Sequence, residues 1–517
     1  MRQMKSSGRI AAPPERWLLR VDIVKAKLCG LCLTLCLIAA TARAQSEVTI
    51  AIDTLNPGVP IAHDFAGLSF ESSNLLPEKN GSYLFSDENK QLVVLFRTIG
   101  IRNLRVGGGT ADGPEYAVPG PPDIDRLFAF AKAADVNVIY TFRLLNGNPA
   151  QAAELARYID QHYRAQLSCF QIGNEPDWHS FHTAPGHPRD PKIVETEPGI
   201  PGSAYPSYLA DWKEYAGAII RAVPDACITG PDTGSNYPVP GTKDTDYEGE
   251  SWTQHFAHDS KNQHVKFVTH HDYPGQSAAG VSVDTGIDSM LSREWLTSRY
   301  AILYDHVLAP VQAEGFEYRM TECNDYTGGV NGASNAFASA LWALDYMYWQ
   351  AQHHALGVNF HNKRWIYTDT IYLDQSGVFQ FNPKAYAIRA FDLGSDGNIL
   401  PLTVSNDHGI NLTAYAVRGI RELFVTIINK EHGAGGRAAN VTIVAPGITG
   451  HASGMALTAP NGDVGARTGV TLGSASITNG SWDGKWSELN VSANAKTDFN
   501  VAAGSALVVR VPMQQIN

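Results

Sequence analysis

The chain has 517 residues, a formal net charge of −11 and 44% hydrophobic residues. That length exceeds what one hydrophobic core usually supports, so more than one domain is expected. An acidic chain lacks the basic face that sequence-independent nucleic-acid binding needs, and no nucleic-acid partner is expected.

Residues 1–44 read as a secretory signal peptide. Basic residues from Arg2 to Lys27 precede an apolar run at 28–40, and Ala42-Arg43-Ala44 then supplies a small-x-small cleavage signal. The apolar run is shorter than the roughly 20 residues that span a bilayer. Its removal takes away eight basic and two acidic residues, moving the chain from −11 to −17. The expectation is a secreted or periplasmic protein with no membrane attachment after cleavage. Three of the six cysteines leave with the leader. Cys169, Cys227 and Cys323 remain without CxxC spacing, so at most one bridge is possible, and buried free thiols are expected.

Residues 45–89 contain strand-like runs leading toward a barrel, and 47–52 has the pattern to join a later sheet. From 90 to 395 helical and extended patterns alternate. Helical runs at 90–99, 124–134, 150–163, 208–223, 288–314 and 334–354 interleave with extended runs at 102–106, 137–142, 170–172, 227–229, 267–270, 318–322 and 357–360. Such alternation over about 250–300 residues predicts an α/β fold, a (β/α)8 TIM barrel. After 395 the helical period disappears. Short apolar or alternating runs at 422–428, 440–444, 470–472 and 506–511, divided by Gly and Asn, predict a C-terminal antiparallel β-sandwich over 396–517.

Within the barrel pattern, two strand ends carry glutamates. In Phe170-Gln171-Ile172-Gly173-Asn174-Glu175-Pro176, the proline has no N–H to extend a ladder, so Glu175 is set beyond the sheet. In Tyr318-Arg319-Met320-Thr321-Glu322-Cys323-Asn324, a second strand ends in Glu322, 147 positions later. Active sites of such barrels lie at the carboxyl ends of the strands. Two carboxylates there are the minimum equipment for glycoside hydrolysis, one to protonate the leaving oxygen and one to meet the charge at the anomeric carbon. Asn174 beside Glu175 offers an amide to a neighbouring sugar hydroxyl. Gly107-Gly108-Gly109 lacks the Lys-Ser/Thr of a phosphate-binding loop and reads as close backbone packing at the barrel mouth. His270, His271, His353, His354 and His361 show no HExxH spacing, and no metal site is assigned.

Gly173-Asn174-Glu175-Pro176, Thr321-Glu322-Cys323-Asn324 and Gly67-Leu68-Ser69-Phe70-Glu71 resemble the retaining glycoside hydrolases of clan A. Leu104-Arg105-Val106-Gly107-Gly108 with Asp112, and His270-His271-Asp272-Tyr273, are similar to family 79, which contains β-glucuronidases and heparanase. The resemblance implies Glu175 on the fourth barrel strand as acid/base and Glu322 on the seventh as nucleophile. It also implies that Glu71, Asp112 and Asn174 lie near sugar hydroxyls and that Tyr273 hydrogen-bonds Glu322. In Tyr326-Thr327-Gly328-Gly329 it implies a loop whose Tyr326 phenol and Gly328 backbone read a substrate carboxylate. Trp178, Tyr326, Trp365 and Tyr367 have the character of sugar-stacking aromatics.

The expected reaction is double displacement on a glycan bearing β-linked glucuronic acid, and it requires no cofactor. An endo-acting enzyme on uronic-acid polysaccharides, a neutral-sugar hydrolase and a non-catalytic carbohydrate-binding relative stay open as alternatives.

Overall fold

The computed structural model describes residues 46–177, 205–234, 251–261, 263–363, 367–489, 491–492 and 496–514. The leader and the two tryptophans, Trp178 and Trp365, lie outside these residues.

The first strand, β1 (Ser46–Ile52), does not enter the barrel. It pairs in parallel with a strand some 390 positions later. The barrel is built from β2 (Ala66–Glu71), β3 (Asn103–Gly107), β4 (Asn137–Phe142), β5 (Leu167–Ile172), β6 (Ile228–Thr233), β7 (Val265–Asp272), β8 (Glu317–Cys323) and β9 (Ala355–Asn362), closed in that order. Its strands are parallel, so each must return through a crossover, and the intervening helices cover the outside. The barrel therefore starts at Ala66, ahead of the boundary at residue 90 that the helical pattern suggested.

Local signals place the helices. Asn89 accepts a hydrogen bond from Leu92 N and caps the helix Lys90–Ile99, which Gly100 ends in the left-handed region at φ 82°. Asn148 caps Pro149–Tyr163 in the same way. The stretch expected as one helix over 288–314 is broken. Helix Val283–Leu291 stops at Ser292, whose backbone is extended, and two π-helical turns, Trp295–Arg299 and Tyr304–Leu308, follow. An apolar period survives such turns, so periodicity alone did not reveal them.

Beyond the hairpin β10 (Ile371–Leu373) and β11 (Phe379–Phe381) the chain forms two sheets. One contains β12 (Asn398–Leu400), β14 (Leu412–Arg418), β15 (Glu422–Asn429), β17 (Ser453–Thr458), β18 (Thr471–Leu472), β19 (Ser487–Glu488) and β22 (Ser505–Pro512). The other contains β13 (Leu402–Ser405), β16 (Ala439–Val444), β20 (Val491–Ser492), β21 (Lys496–Val501) and β1, which lies between β13 and β16. Leu423, Val425 and Ile427 face the second sheet in one core, while Phe424 and Ile428 join the barrel's core. With both faces buried, β15 reads as a largely apolar run, broken only by the buried Thr426, instead of an alternation.

The helix Phe337–Gln352 lies between barrel and sheets, buried from Phe337 to Ala351. Asp345 on this helix accepts hydrogen bonds from Thr413 Oγ1 at 2.6 Å, Tyr415 OH at 2.8 Å and Lys430 Nζ at 2.8 Å, all from the sandwich side. Tyr348 stacks on Tyr415 with centroids 5.1 Å apart.

The cysteines correct the expectation of free thiols. Cys169 on β5 and Cys227, just before β6, form a disulfide across neighbouring barrel strands, with Cα atoms 4.8 Å apart. A separation of 58 residues hid that adjacency. Cys323 is free and buried.

Candidate active site

Strand β5 ends in a turn that sets Asn174 and Glu175. Gly173 has φ 80° and Glu175 has φ 46°, a left-handed conformation that a non-glycine residue holds only when its surroundings over-determine it. Three backbone hydrogen bonds do so. Gly173 N donates to Phe142 O at 3.0 Å, Asn174 N to Asp112 Oδ2 at 2.8 Å, and Glu175 N to Asp232 O at 2.9 Å. The Glu175 carboxylate is partly exposed and accepts from His271 Nδ1 at 2.9 Å.

Glu322 faces it from β8, in a different environment. It is buried, with Oε1 accepting from Tyr273 OH at 2.7 Å and Oε2 from Arg105 Nη1 at 2.9 Å. His361 Nδ1 lies 3.4 Å from the same Oε2. Burial alone would push this carboxyl up. The charges of His361, His271 and Arg105 outweigh it and hold Glu322 down to about 2, so it is ionised at neutral pH. One oxygen of Glu175 and one of Glu322 lie within 4.8 Å of each other. Glu175 follows the fourth strand of the barrel and Glu322 ends the seventh, as the motif order implied.

Behind the pair lies a buried charge network. Arg105, fully buried on β3, donates to Ser69 Oγ, Glu322, Asn174 Oδ1 at 2.6 Å, and Asp232. Asp232 also accepts from Gln171 and Thr321, and His271 Nε2 lies 2.9 Å from it. Arg105 and His271 keep Asp232 ionised against its burial. Burial disfavours a charged His271, but Asp232 and Glu322 override it and raise the ring to about 10. Glu175, His271 and Glu322 converge closely enough to suggest a metal ligand set. His271 already has Glu175 at 2.9 Å from Nδ1 and Asp232 at 2.9 Å from Nε2, so both ring nitrogens face carboxylates.

The remaining expected residues divide. Tyr273 reaches Glu322 directly. Glu71 accepts from Thr110 N at 2.9 Å and lies 3.2 Å from Lys363 Nζ and 3.5 Å from His361 Nε2, so it joins the same cluster. The glycine doublet makes room for it. A Cβ on Gly108 would sit 2.4 Å from the Glu71 carboxylate, and one on Gly107 would strike the Arg105 guanidinium. Asp112, expected to face a sugar hydroxyl, is instead buried with both oxygens on backbone amides, of Leu144, Leu145 and Asn174. It braces the turn.

Tyr326 also departs from expectation. Its ring is buried against Gly275 and Trp295, with its hydroxyl beside Ser289. A polar ring tip that finds a partner in the core has no need of the cleft. Gly328 has φ 82° in the same loop, and Tyr367 is exposed. No contact recorded among the described residues joins Tyr326, Gly328 or Tyr367 to the carboxylate pair.

Arg105, Asp232 and Lys363 were not singled out from the sequence as site residues. A charged Arg inside the apolar run Leu104-Arg105-Val106 was the one available signal, since a buried guanidinium needs a carboxylate partner.

The chain matches no protein-family model and no curated protein of known sequence. Solved structures do resemble it. A 4-O-α-L-rhamnosyl-β-D-glucuronidase from Fusarium oxysporum 12S superposes with a TM-score of 0.67 at 18% identity, covering 89% of this chain and 99% of that one. A family 51 arabinofuranosidase from Xanthomonas axonopodis pv. citri gives 0.63 at 15% identity over 90% and 100%. A family 44 xyloglucanase from Paenibacillus polymyxa gives 0.60 at 11% identity over 91% and 100%. At these identities the likeness establishes the fold: an eight-stranded parallel barrel carrying antiparallel sheets, shared with glycoside hydrolases along almost the whole described chain.

Proposed function

We propose that the chain is a retaining glycoside hydrolase of family 79 type that removes β-linked glucuronic acid from glycans. The observation that carries the reaction class is the carboxylate separation. One oxygen of each glutamate lies within 4.8 Å of the other, which favours the close approach of retaining pairs, about 5–5.5 Å, over the wider gap of about 6.5–9.5 Å in inverting ones.

In the first half-reaction the ionised Glu322 attacks the anomeric carbon while the bond to the leaving oxygen breaks, and Glu175 gives that oxygen its proton. A glycosyl-enzyme ester results. In the second half-reaction Glu175, now a carboxylate, takes a proton from water. The hydroxide attacks the same carbon, releasing Glu322 and the sugar with retained configuration. Tyr273 and Arg105 keep Glu322 aligned and anionic.

Two observations support the uronate specificity. The loop 326–329 follows the nucleophile strand, and Gly328 N belongs to it. Lys363 follows β9 beside Glu71, about one third exposed, and offers a cation at the edge of the Glu71–His361–Glu322 cluster. With Tyr326 turned into the core, Lys363 takes over the part of the reading that needs charge. The disulfide and the leader pattern both fit export to an oxidising compartment.

Hydrolysis of p-nitrophenyl β-D-glucuronide beside the matching glucoside, xyloside and arabinofuranoside tests this reading. Preference for the glucuronide, with retention seen by NMR of the released sugar, is expected. A neutral-sugar preference would keep the mechanism and remove the uronate assignment. Inversion would overturn the mechanism itself.

A further inference from the structure

Asp232 occupies an unusual place. In the pairing of β6 with β7, Pro231 faces Thr269 and Thr233 faces His270, so Asp232 is the extra residue of a bulge, with φ 60°. Bulges beside active sites re-aim one side chain. Here the side chain meets four others from four different strands: Arg105 from β3, Gln171 from β5, His271 from β7 and Thr321 from β8. Thr321 is itself skipped in the β7–β8 pairing, where His270 faces Met320 and His271 faces Glu322. Both carboxylate oxygens are engaged and the residue has 0% exposure, so it cannot touch a substrate.

Three routes out of Asp232 end on the carboxylate pair. Arg105 bridges it to Glu322, His271 bridges it to Glu175, and its own carbonyl accepts the Glu175 backbone N–H. We propose that Asp232 is the positioning residue of this site, holding His271 and Arg105 so that both glutamates keep their separation. The proposal rests on the glycosidase reading for its kinetic consequences. The charged groups facing His271 and Asp232 are Glu175 after β5, Glu322 on β8 and Arg105 on β3.

The test compares Asp232→Asn, His271→Gln and the double variant in the full chain. Asp232→Asn should lower kcat about 10–100-fold, the usual cost of removing an outer-shell partner, with KM little changed. The His271 ring, followed by NMR, should titrate at lower pH than in the wild type, because it loses its main counter-charge. Adding His271→Gln should then cost little more, since the two act as one unit. Unchanged kcat, or losses that multiply in the double variant, would overturn the proposal. Should Asp232→Asn fail to fold, Thr321→Val removes one donor to Asp232 and should move the His271 titration in the same direction, with a smaller drop in kcat. An unmoved His271 titration in that variant would count equally against it.

If the wild type hydrolyses none of the glycosides, the glycosidase reading fails on its own. Thermal unfolding against pH then still reads the Asp232–His271 pair. The His271 ring is raised from an ordinary 6.5 to about 10 in the fold, so its contribution is whole below about 6.5 and lost as pH rises toward 10. Asp232→Asn should move that loss to lower pH, and an identical profile would sink the proposal.

Discussion

Glu322 and Glu175 are chemically the same side chain held in two ways. Glu322 is buried, takes hydrogen bonds on both oxygens and sits among Arg105, His271 and His361. Glu175 has a side chain 28% exposed, one imidazole contact and a strained backbone fixed from behind. The first arrangement suits an anion that must stay an anion until it forms a bond. The second suits a group that must exchange its proton with water. Asp345 supplies a control: another buried carboxylate, as heavily hydrogen-bonded as Glu322, but placed between barrel and sandwich.

Removing the two glutamates in turn gives the largest contrast. Glu322→Ala should abolish turnover on every glycoside. Glu175→Ala should lose about 10²–10⁴-fold on poor leaving groups but little on an activated aryl glycoside, whose departure needs no proton. Equal losses on the activated substrate would erase the distinction.

Asp345→Ala should separate stability from chemistry. Breaking the buried Asp345–Lys430 pair should cost about 3–5 kcal/mol in denaturant unfolding, while kcat below the transition stays near that of the wild type. A comparable loss of kcat would mean that the sandwich shapes the active site. Loss of the Cys169–Cys227 bridge, by a double Ala variant or by reduction, should lower stability by about 2–4 kcal/mol, since it closes a 58-residue separation. Matching denaturation midpoints with and without reductant would contradict this.

Tyr273→Phe probes Glu322 more gently. It removes one hydrogen bond to a charged group, about 1.5–3 kcal/mol, so kcat should fall roughly 10–100-fold on all substrates alike. Lys363→Gln should give the smallest effect and a selective one, raising KM for the glucuronide about 10-fold and leaving a neutral glucoside unchanged. An equal change on both sugars would remove Lys363 from uronate reading.

Much of this was legible in the chain because it is written locally. The strand–helix alternation, the Gly-Asn-Glu-Pro turn and the glutamate ending a second strand each depend on a few adjacent residues, where sterics and hydrophobic period act directly. So the barrel, the C-terminal sheets and the two glutamates were all available before any coordinates. Tyr326 shows where local reading stops. Its place after the strand that carries Glu322 suggested a phenol in the cleft, but Gly275, beyond β7, and Trp295, in a π-helical turn, offered its ring a better-packed home.

The residues that only the tertiary structure identified are those whose partners are far away along the chain. Arg105 meets Glu322 across 217 positions and Asp232 across 127, and Cys169 meets Cys227 across 58. A bulge of one residue in β6 turned Asp232 into the hub of both glutamates. Sequence determined which groups could do the chemistry. Barrel closure decided which of them stand within reach, because a buried charge is tolerated only where its counter-charges converge in space, and that convergence has no signature along the chain.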